Sequence, residues 1–369
     1  MAAHFAIPFF TPELWFSNSD QTIEIRFIMQ NSPLKVAVIG LRHGISHVTV
    51  LRGHSRACVT ALVDLDPIAL EKAARSCSGV TTYTDVAEMA ESGVADIAVI
   101  AVPTAAHATV AEICLKAGMH VLLEKPLCRT VEEAEFIQRA HTASGKILQV
   151  GYEVRSSPLH RSIMQHIANG DLGTVTNVWW NQYTDQGKPA YGGWRKNRAD
   201  MGGALFDCSV HYLDLISQWA GAPLARLVAL GNVSGQSGVC PVDRLPESAA
   251  ISLDYANGVR GTFSFGGINS FNDDAIFGIA GTSGCIRGNP IGAGHYELRT
   301  DGGVRVSEVR FDPQLTSSGH LGFAEQWDFF LDSILEGTPN VCPFEDALTV
   351  HRMMMALDKS LGSNEVIVF

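Results

Sequence analysis

The 369-residue chain is 46% hydrophobic and 18% charged, with 35 glycines, which excludes extended disorder and leaves apolar surface for more than one compact core. A net charge of −11 with no cluster of Lys and Arg argues against a nucleic-acid partner, because neutralising phosphates needs grouped cations. Eight cysteines without a C-x-x-C pair suit free thiols in a reducing compartment better than a disulfide framework or a metal site, and no apolar run reaches the ~18 residues of a membrane span.

Residues 1–33 read as an amino-terminal extension. No Lys or Arg precedes Arg26, and the apolar patch around Phe5–Phe10 is short and broken by Pro8, which makes a poor signal peptide and a cytoplasmic protein the expectation. Leu34–Ile39 alternates little and ends in Gly40, as a central parallel strand entering a tight turn should. Val59–Val63 closes at Asp64, and Asp66-Pro67 caps a helix over Ile68–Arg75. Tyr83 marks a short strand and Asp85 caps Val86–Glu91. Ile97–Val102 is a fourth strand, followed by a helix over Ala105–Ala117 that stops at Gly118. Val121–Glu124, a capping box at Thr130-Val131-Glu132-Glu133, and Ile147–Val150 complete six strands alternating with helices, the pattern of a doubly wound parallel sheet over 34–150.

The remainder, 151–369, changes period. Thr174–Trp180, Leu227–Val233, Ala249–Tyr255, Val259–Phe265 and Ala275–Ala280 read as strands, and Asn257-Gly258 predicts a type I′ hairpin, so this half is an α+β domain with an open, mostly antiparallel sheet. Phe323, Trp327, Phe330, Leu331 and Ile334 recur at helical spacing as core.

Three stretches carry chemistry. The first is Gly40-Leu41-Arg42-His43-Gly44, where a dinucleotide fold would show G-x-G-x-x-G. With one residue fewer, Gly40 would make the turn, Gly44 would allow close helix–strand contact, and Arg42 would reach the pyrophosphate. Asp64 ends the second strand where an adenosine ribose 2′-OH is read; its charge would repel a 2′-phosphate, which favours NAD over NADP, with Arg42 keeping NADP open. The second is Glu124-Lys125-Pro126. Three apolar residues stop at two charges and a proline without an N–H, so Lys125 falls at a strand's carboxyl end, where it would hold a substrate hydroxyl or would form only a surface ion pair. In Gly203–Asp214, read as one helix, Asp207, His211 and Asp214 at i, i+4 and i+7 share a polar, wet face.

Val36–Gly40, Asp64, Ala101-Val102-Pro103-Thr104-Ala105-Ala106-His107, Gly118-Met119-His120-Val121 and above all Glu124-Lys125-Pro126 resemble the Gfo/Idh/MocA oxidoreductases, the glucose–fructose oxidoreductase and inositol dehydrogenase group, over about residues 34–369. Arg42, Thr104 and Met119 depart from that family's pattern. The resemblance implies an amino-terminal Rossmann domain holding NAD through the Gly40–Gly44 loop, Asp64, Val102, Pro103, His107, Glu124 and Lys125. It implies a second domain that binds substrate and forms a homodimer or homotetramer through its open sheet. It also implies a catalytic set of Lys125, Asp207 and His211, with His211 as general base, Lys125 on the reacting oxygen and Asp207 orienting substrate or histidine. Tyr152, Arg155, Trp194 and Arg195 are candidates for the hydroxyls of a sugar, inositol or other polyol. Two rivals remain: a non-catalytic dinucleotide-binding or interaction protein, and NAD-dependent cleavage of a glycosidic bond by transient oxidation.

Overall fold

The computed structural model describes residues 32–184, 193–200, 203–233, 244–267, 274–290, 295–308 and 322–369. The expected amino-terminal extension, apart from residues 32 and 33, lies outside the described residues. The first half runs β1 (Leu34–Ile39), α1 (Leu41–Leu51), β2 (Ala57–Val63), α2 (Pro67–Ala74), β3 (Thr81–Tyr83), α3 (Val86–Glu91), β4 (Ile97–Ile100), α4 (His107–Lys116), β5 (His120–Glu124), α5 (Val131–Ser144) and β6 (Leu148–Gly151). All six strands are parallel, in the order β3-β2-β1-β4-β5-β6.

The local chemistry accounts for these boundaries. Every residue of β4 is buried, as a strand covered on both faces must be. The side chains of Asp66 and Asp85 accept from the first-turn amides of α2 and α3, satisfying donors that the helices leave open. Thr130 does the same for Glu133 N at the start of α5 (3.2 Å), while the Glu133 carboxylate returns to Arg129 N (2.8 Å), so the capping box closes one residue early. The strand expected to reach Val102 ends at Ile100. The helix expected from Ala105 instead opens as a tight turn, Thr104–Ala106, before α4.

The second half adds α6 (Pro158–Ala168), β7 (Val175–Tyr183), α7 (Ala204–Asp207), α8 (Ser209–Ala220), β8 (Leu224–Asn232), β9 (Ser248–Tyr255), β10 (Arg260–Gly266), β11 (Asp274–Gly281), β12 (Gly284–Asn289), β13 (His295–Thr300), β14 (Gly303–Glu308), α9 (Glu325–Leu335), α10 (Phe344–Ser363) and β15 (Ile367–Val368). Among the described residues its strands form one nine-stranded sheet in which only β7 and β10 are parallel neighbours. Helices α8 and α10 pack on one face. Tyr183, Leu230 and Ile276 are exposed on β7, β8 and β11.

Three expectations need correction. Strands β12 to β15 were not foreseen. The Asn257-Gly258 turn is not type I′, since only Gly258 has positive φ (89°); Tyr255 N donates to Val259 O (3.0 Å) around a three-residue loop, and the Asn257 amide donates to Ala220 O (2.8 Å) instead. The Gly203–Asp214 helix is broken at Cys208 into α7 and α8.

The halves are not independent. Phe323, Trp327, Phe330 and Leu331 share one buried cluster with Val36, Val38, Leu62, Val99 and Leu122, so α9 covers a face of the parallel sheet. Each of those large side chains contributes about 1.5–3 kcal/mol by leaving water. Arg56, just before β2, adds ion pairs to Asp328 (2.6 Å) and Asp332 of the same helix. Among the described residues, no helix is long and apolar enough to cross a membrane.

Candidate active site

The sheet order reverses between β1 and β4, which opens a crevice at their carboxyl ends. Gly40 sits in it with φ 86°, and a Cβ there would lie 2.6 Å from Ala101 O, so only glycine permits this approach. A Cβ on Gly44 would meet Val38 Cγ1 at 2.7 Å, and α1 therefore lies tightly on β1. Helix α1 starts directly at Leu41, and the shortened loop keeps both contacts that a longer glycine loop provides. Asp64 Oδ2 accepts from Leu41 N (2.7 Å) and Oδ1 from Asp66 N (2.9 Å), which fixes the carboxylate at the mouth of the crevice. Across from it the buried Thr104 hydroxyl has no partner among the described residues. A cradle that a Cβ would fill, a helix N-terminus and a fixed carboxylate together fit a dinucleotide. Arg42 and His43 lie in the first turn of α1. His107, expected at the cofactor, is buried with its ring nitrogens 3.0 Å from Val102 O and 3.3 Å from Leu127 O, tying the β4 loop to the β5 loop.

Lys125 follows β5 directly. Its Nζ donates to the Asp207 carbonyl oxygen (2.9 Å) and to Asp207 Oδ1 (3.1 Å), and Arg195 Nε donates to Oδ2 (3.0 Å). The Asp207 side chain is 6% exposed, so its charge depends on both cations. Burial alone would raise the Asp207 pKa, but Lys125 and Arg195 hold it below the usual carboxylate range. Burial alone would likewise lower Lys125; Asp207, reinforced by Glu153 and Glu124, outweighs this and raises it. Lys125 is therefore a protonated donor at neutral pH and not a surface ion pair.

His211 lies in the first turn of α8. It is buried, Tyr152 packs edge-on against its ring at 5.9 Å, and its Nε2 lies 3.7 Å from Glu153 Oε1. The wet face expected for Asp207, His211 and Asp214 is thus a buried one: Lys125 from the end of β5 meets Asp207, and the turn after β6 brings Glu153 to His211 and Arg155 to Asp214. Arg155 does not join the cluster. Its guanidinium grips Asp214 through two bonds (2.7 and 2.5 Å), Asp346 (2.6 Å) and Val341 O (2.9 Å), which leaves it a clamp between β6, α8 and α10. Of Trp194 only its backbone place in the turn Gly193–Lys196 is described.

Glu124 does not face outward. It is buried, accepts from His47 Nε2 (2.9 Å) and lies 3.5 Å from His43 Nε2. The Trp327 indole N–H donates to His47 Nδ1 (3.1 Å), which puts that imidazole's proton on Nε2. Burial opposes ionisation of Glu124, but the two histidines hold its pKa well below normal. His47 and Glu153 were missed from the sequence. The available signals were the i, i+4 pair His43/His47 on α1, and the place of Glu153 just past β6, whose Gly151 pairs with Glu124.

Residues 34–152 match the model of an oxidoreductase family with an NAD-binding Rossmann fold, and residues 164–367 match that family's C-terminal alpha/beta domain. The chain spans about half the length of several curated relatives, among them the putative oxidoreductase YteT of Bacillus subtilis, 29% identical over 180 residues that make up 47% of this chain and 42% of that protein. The scyllo-inositol 2-dehydrogenase (NAD(+)) of Bacillus subtilis is 23% identical over 326 residues, 86% of this chain and 91% of its own. An Agrobacterium radiobacter oxidoreductase, solved with NAD+, L-tartaric acid and magnesium, superposes with a TM-score of 0.79 at 18% identity, covering 91% of this chain and 98% of that one. With family models matching both halves, the chain belongs to the Gfo/Idh/MocA oxidoreductases, whose amino-terminal domain binds NAD.

Proposed function

We propose that this protein is an NAD-dependent dehydrogenase moving hydride between nicotinamide and the secondary alcohol or ketone carbon of a sugar, inositol or other polyol. The observation that carries this reading is the Lys125 ammonium at the carboxyl end of β5, one strand from the β1/β4 crevice, held and kept protonated by Asp207. NAD, when bound, supplies the hydride acceptor. The remaining work falls to the protein. Lys125, a donor, hydrogen-bonds the reacting oxygen and stabilises its negative charge as the hydroxyl proton leaves. His211 is then the general base, since imidazole ordinarily titrates near neutrality. Asp207 acts as the positioning residue that holds Lys125 and Arg195 together.

Arg195 is the candidate for substrate hydroxyls, with Trp194 beside it in the chain; Tyr152 packs behind His211, and Arg155 is spent on its clamp. Asp64 favours NAD over NADP, because a 2′-phosphate would meet its carboxylate. A dehydrogenase acting on scyllo-inositol among the relatives supports a polyol-class substrate. The exposed apolar residues of the open sheet support a homo-oligomer, and the composition supports a cytoplasmic enzyme. The chain divides as a first-half cofactor domain and a second-half substrate domain.

The test is a panel of inositols, aldoses, sugar acids and linear polyols with NAD and NADP, followed by nicotinamide absorbance. Net NADH formation with one member supports the reading. Glycoside cleavage with no net NADH would show transient oxidation instead, and no change in any substrate would remove the dehydrogenase assignment.

A further inference from the structure

We propose that Glu153 is the positioning partner of His211, a buried carboxyl group that sets how tightly the imidazole holds the proton taken from substrate; this deepens the dehydrogenase reading and rests on it. The turn Glu153–Ser156 begins one residue past β6, and Gly151 of β6 pairs with Glu124 of β5, so the side chain is delivered beside Lys125. It is 5% exposed, with Oε1 3.7 Å from His211 Nε2. It is faced by Glu124 and Lys125 from β5, by His43 from α1 and by His211 from α8.

Two carboxyl groups thus share one dry pocket, and their surroundings separate them. Glu124, hydrogen-bonded to His47 and beside His43, keeps its charge. Glu153 has its pKa pushed up to about 8 by burial and then by Glu124, against the pull of Lys125 and His43. This split of two neighbouring carboxyls into a charge holder and a proton holder is how one site separates acid and base roles. A neutral amide or thioether would fill the volume without the cost of burying an acid. In its carboxylate form Glu153 favours the imidazolium 3.7 Å away; as a neutral acid it gives that help up. Alcohol oxidation should therefore quicken as pH rises through the Glu153 titration.

Glu153→Gln keeps the shape and removes the titration, and Glu153→Asp keeps the charge on a shorter arm. In cofactor-free protein labelled with 15N-histidine, and with His211 assigned by subtraction against His211→Asn, the wild-type His211 resonances should move through a second inflection near pH 8 as Glu153 ionises, which Glu153→Gln should abolish and Glu153→Asp should keep at a shifted pH. In turnover, the basic-side rise of kcat/KM near pH 8 should vanish in Glu153→Gln and its plateau should fall about tenfold, with NADH affinity unchanged. Superimposable His211 titrations would overturn the proposal whatever the activity. A wild type that oxidises no alcohol would instead overturn the reaction reading, while the histidine titration still decides the role of Glu153.

Discussion

Replacing Arg155 by Met should unfold the protein before it affects substrate binding. The guanidinium and Asp214 are tightly enclosed, with side-chain exposures of 4% and 2%, while Asp346 is half-buried at 25%. Removing the cation strands Asp214, which loses both of its charge-assisted bonds inside the protein, and breaking a buried pair from one side costs about 3–5 kcal/mol. At about 2–4 °C per kcal/mol for a domain of this size, the melting temperature should fall by roughly 6–20 °C. The double variant Arg155→Met, Asp214→Leu removes both charges and should recover most of that loss, since a buried pair replaced by apolar residues is often neutral. Thermal and urea denaturation of the two single variants and the double variant close the cycle, with a coupling of at least about 2 kcal/mol expected. A variant with wild-type melting temperature and a raised KM would refute the clamp and return Arg155 to the substrate.

Gly40→Ala should weaken NADH binding at least about tenfold and cost roughly 1–3 kcal/mol of stability, because the new Cβ would meet the Ala101 carbonyl from a backbone conformation that alanine resists. Dinucleotide fluorescence titration and thermal melting check both effects. Asp64→Ala should narrow the NADH-over-NADPH preference and lose about 1 kcal/mol from the uncapped Leu41 amide; an unchanged ratio of the two dissociation constants would remove Asp64 from the ribose site. His160, whose Nδ1 accepts from the Trp219 indole, has its pKa lowered to about 3 by burial and then by Arg155. Its folded value lies below the unfolded 6.5, so the unfolded chain binds more protons as pH falls from 6.5 towards 3. Stability is then full above pH 6.5 and declines below it, by up to about 1.4 kcal/mol per unit from this group. His160→Gln should flatten that acid slope in pH-dependent melting.

The parallel half was legible because most of its strands are largely buried and read as mainly apolar runs, with Gly40, Asp64, Pro103 and Lys125 punctuating β1, β2, β4 and β5. Strands β12 to β14 were not, since Gly284, Gly288, His295 and Glu297 interrupt any period, and Val304 and Val306 face solvent near the sheet's edge. Lys125 stood out from its place at a strand end and Asp207 took its expected role from the family resemblance, but their burial was not legible, because a helix wheel cannot show that the ends of β5 and β6 close over its polar side. Arg155 misled for the same reason: its partners come from α8 and α10, far along the chain. Glu153 was passed over because its nearness to Lys125 rests on the register of β5 with β6.

The most direct measurement compares the wild type with Lys125→Met for NADH affinity and for single-turnover hydride transfer with a substrate found in the panel. Hydride transfer at Lys125, Asp207 and His211 requires the dissociation constant to stay within about threefold while the transfer rate falls by at least about a hundredfold, the usual scale for losing one electrostatic donor. An undiminished transfer rate would contradict it, and a loss confined to NADH affinity would make Lys125 a cofactor ligand only.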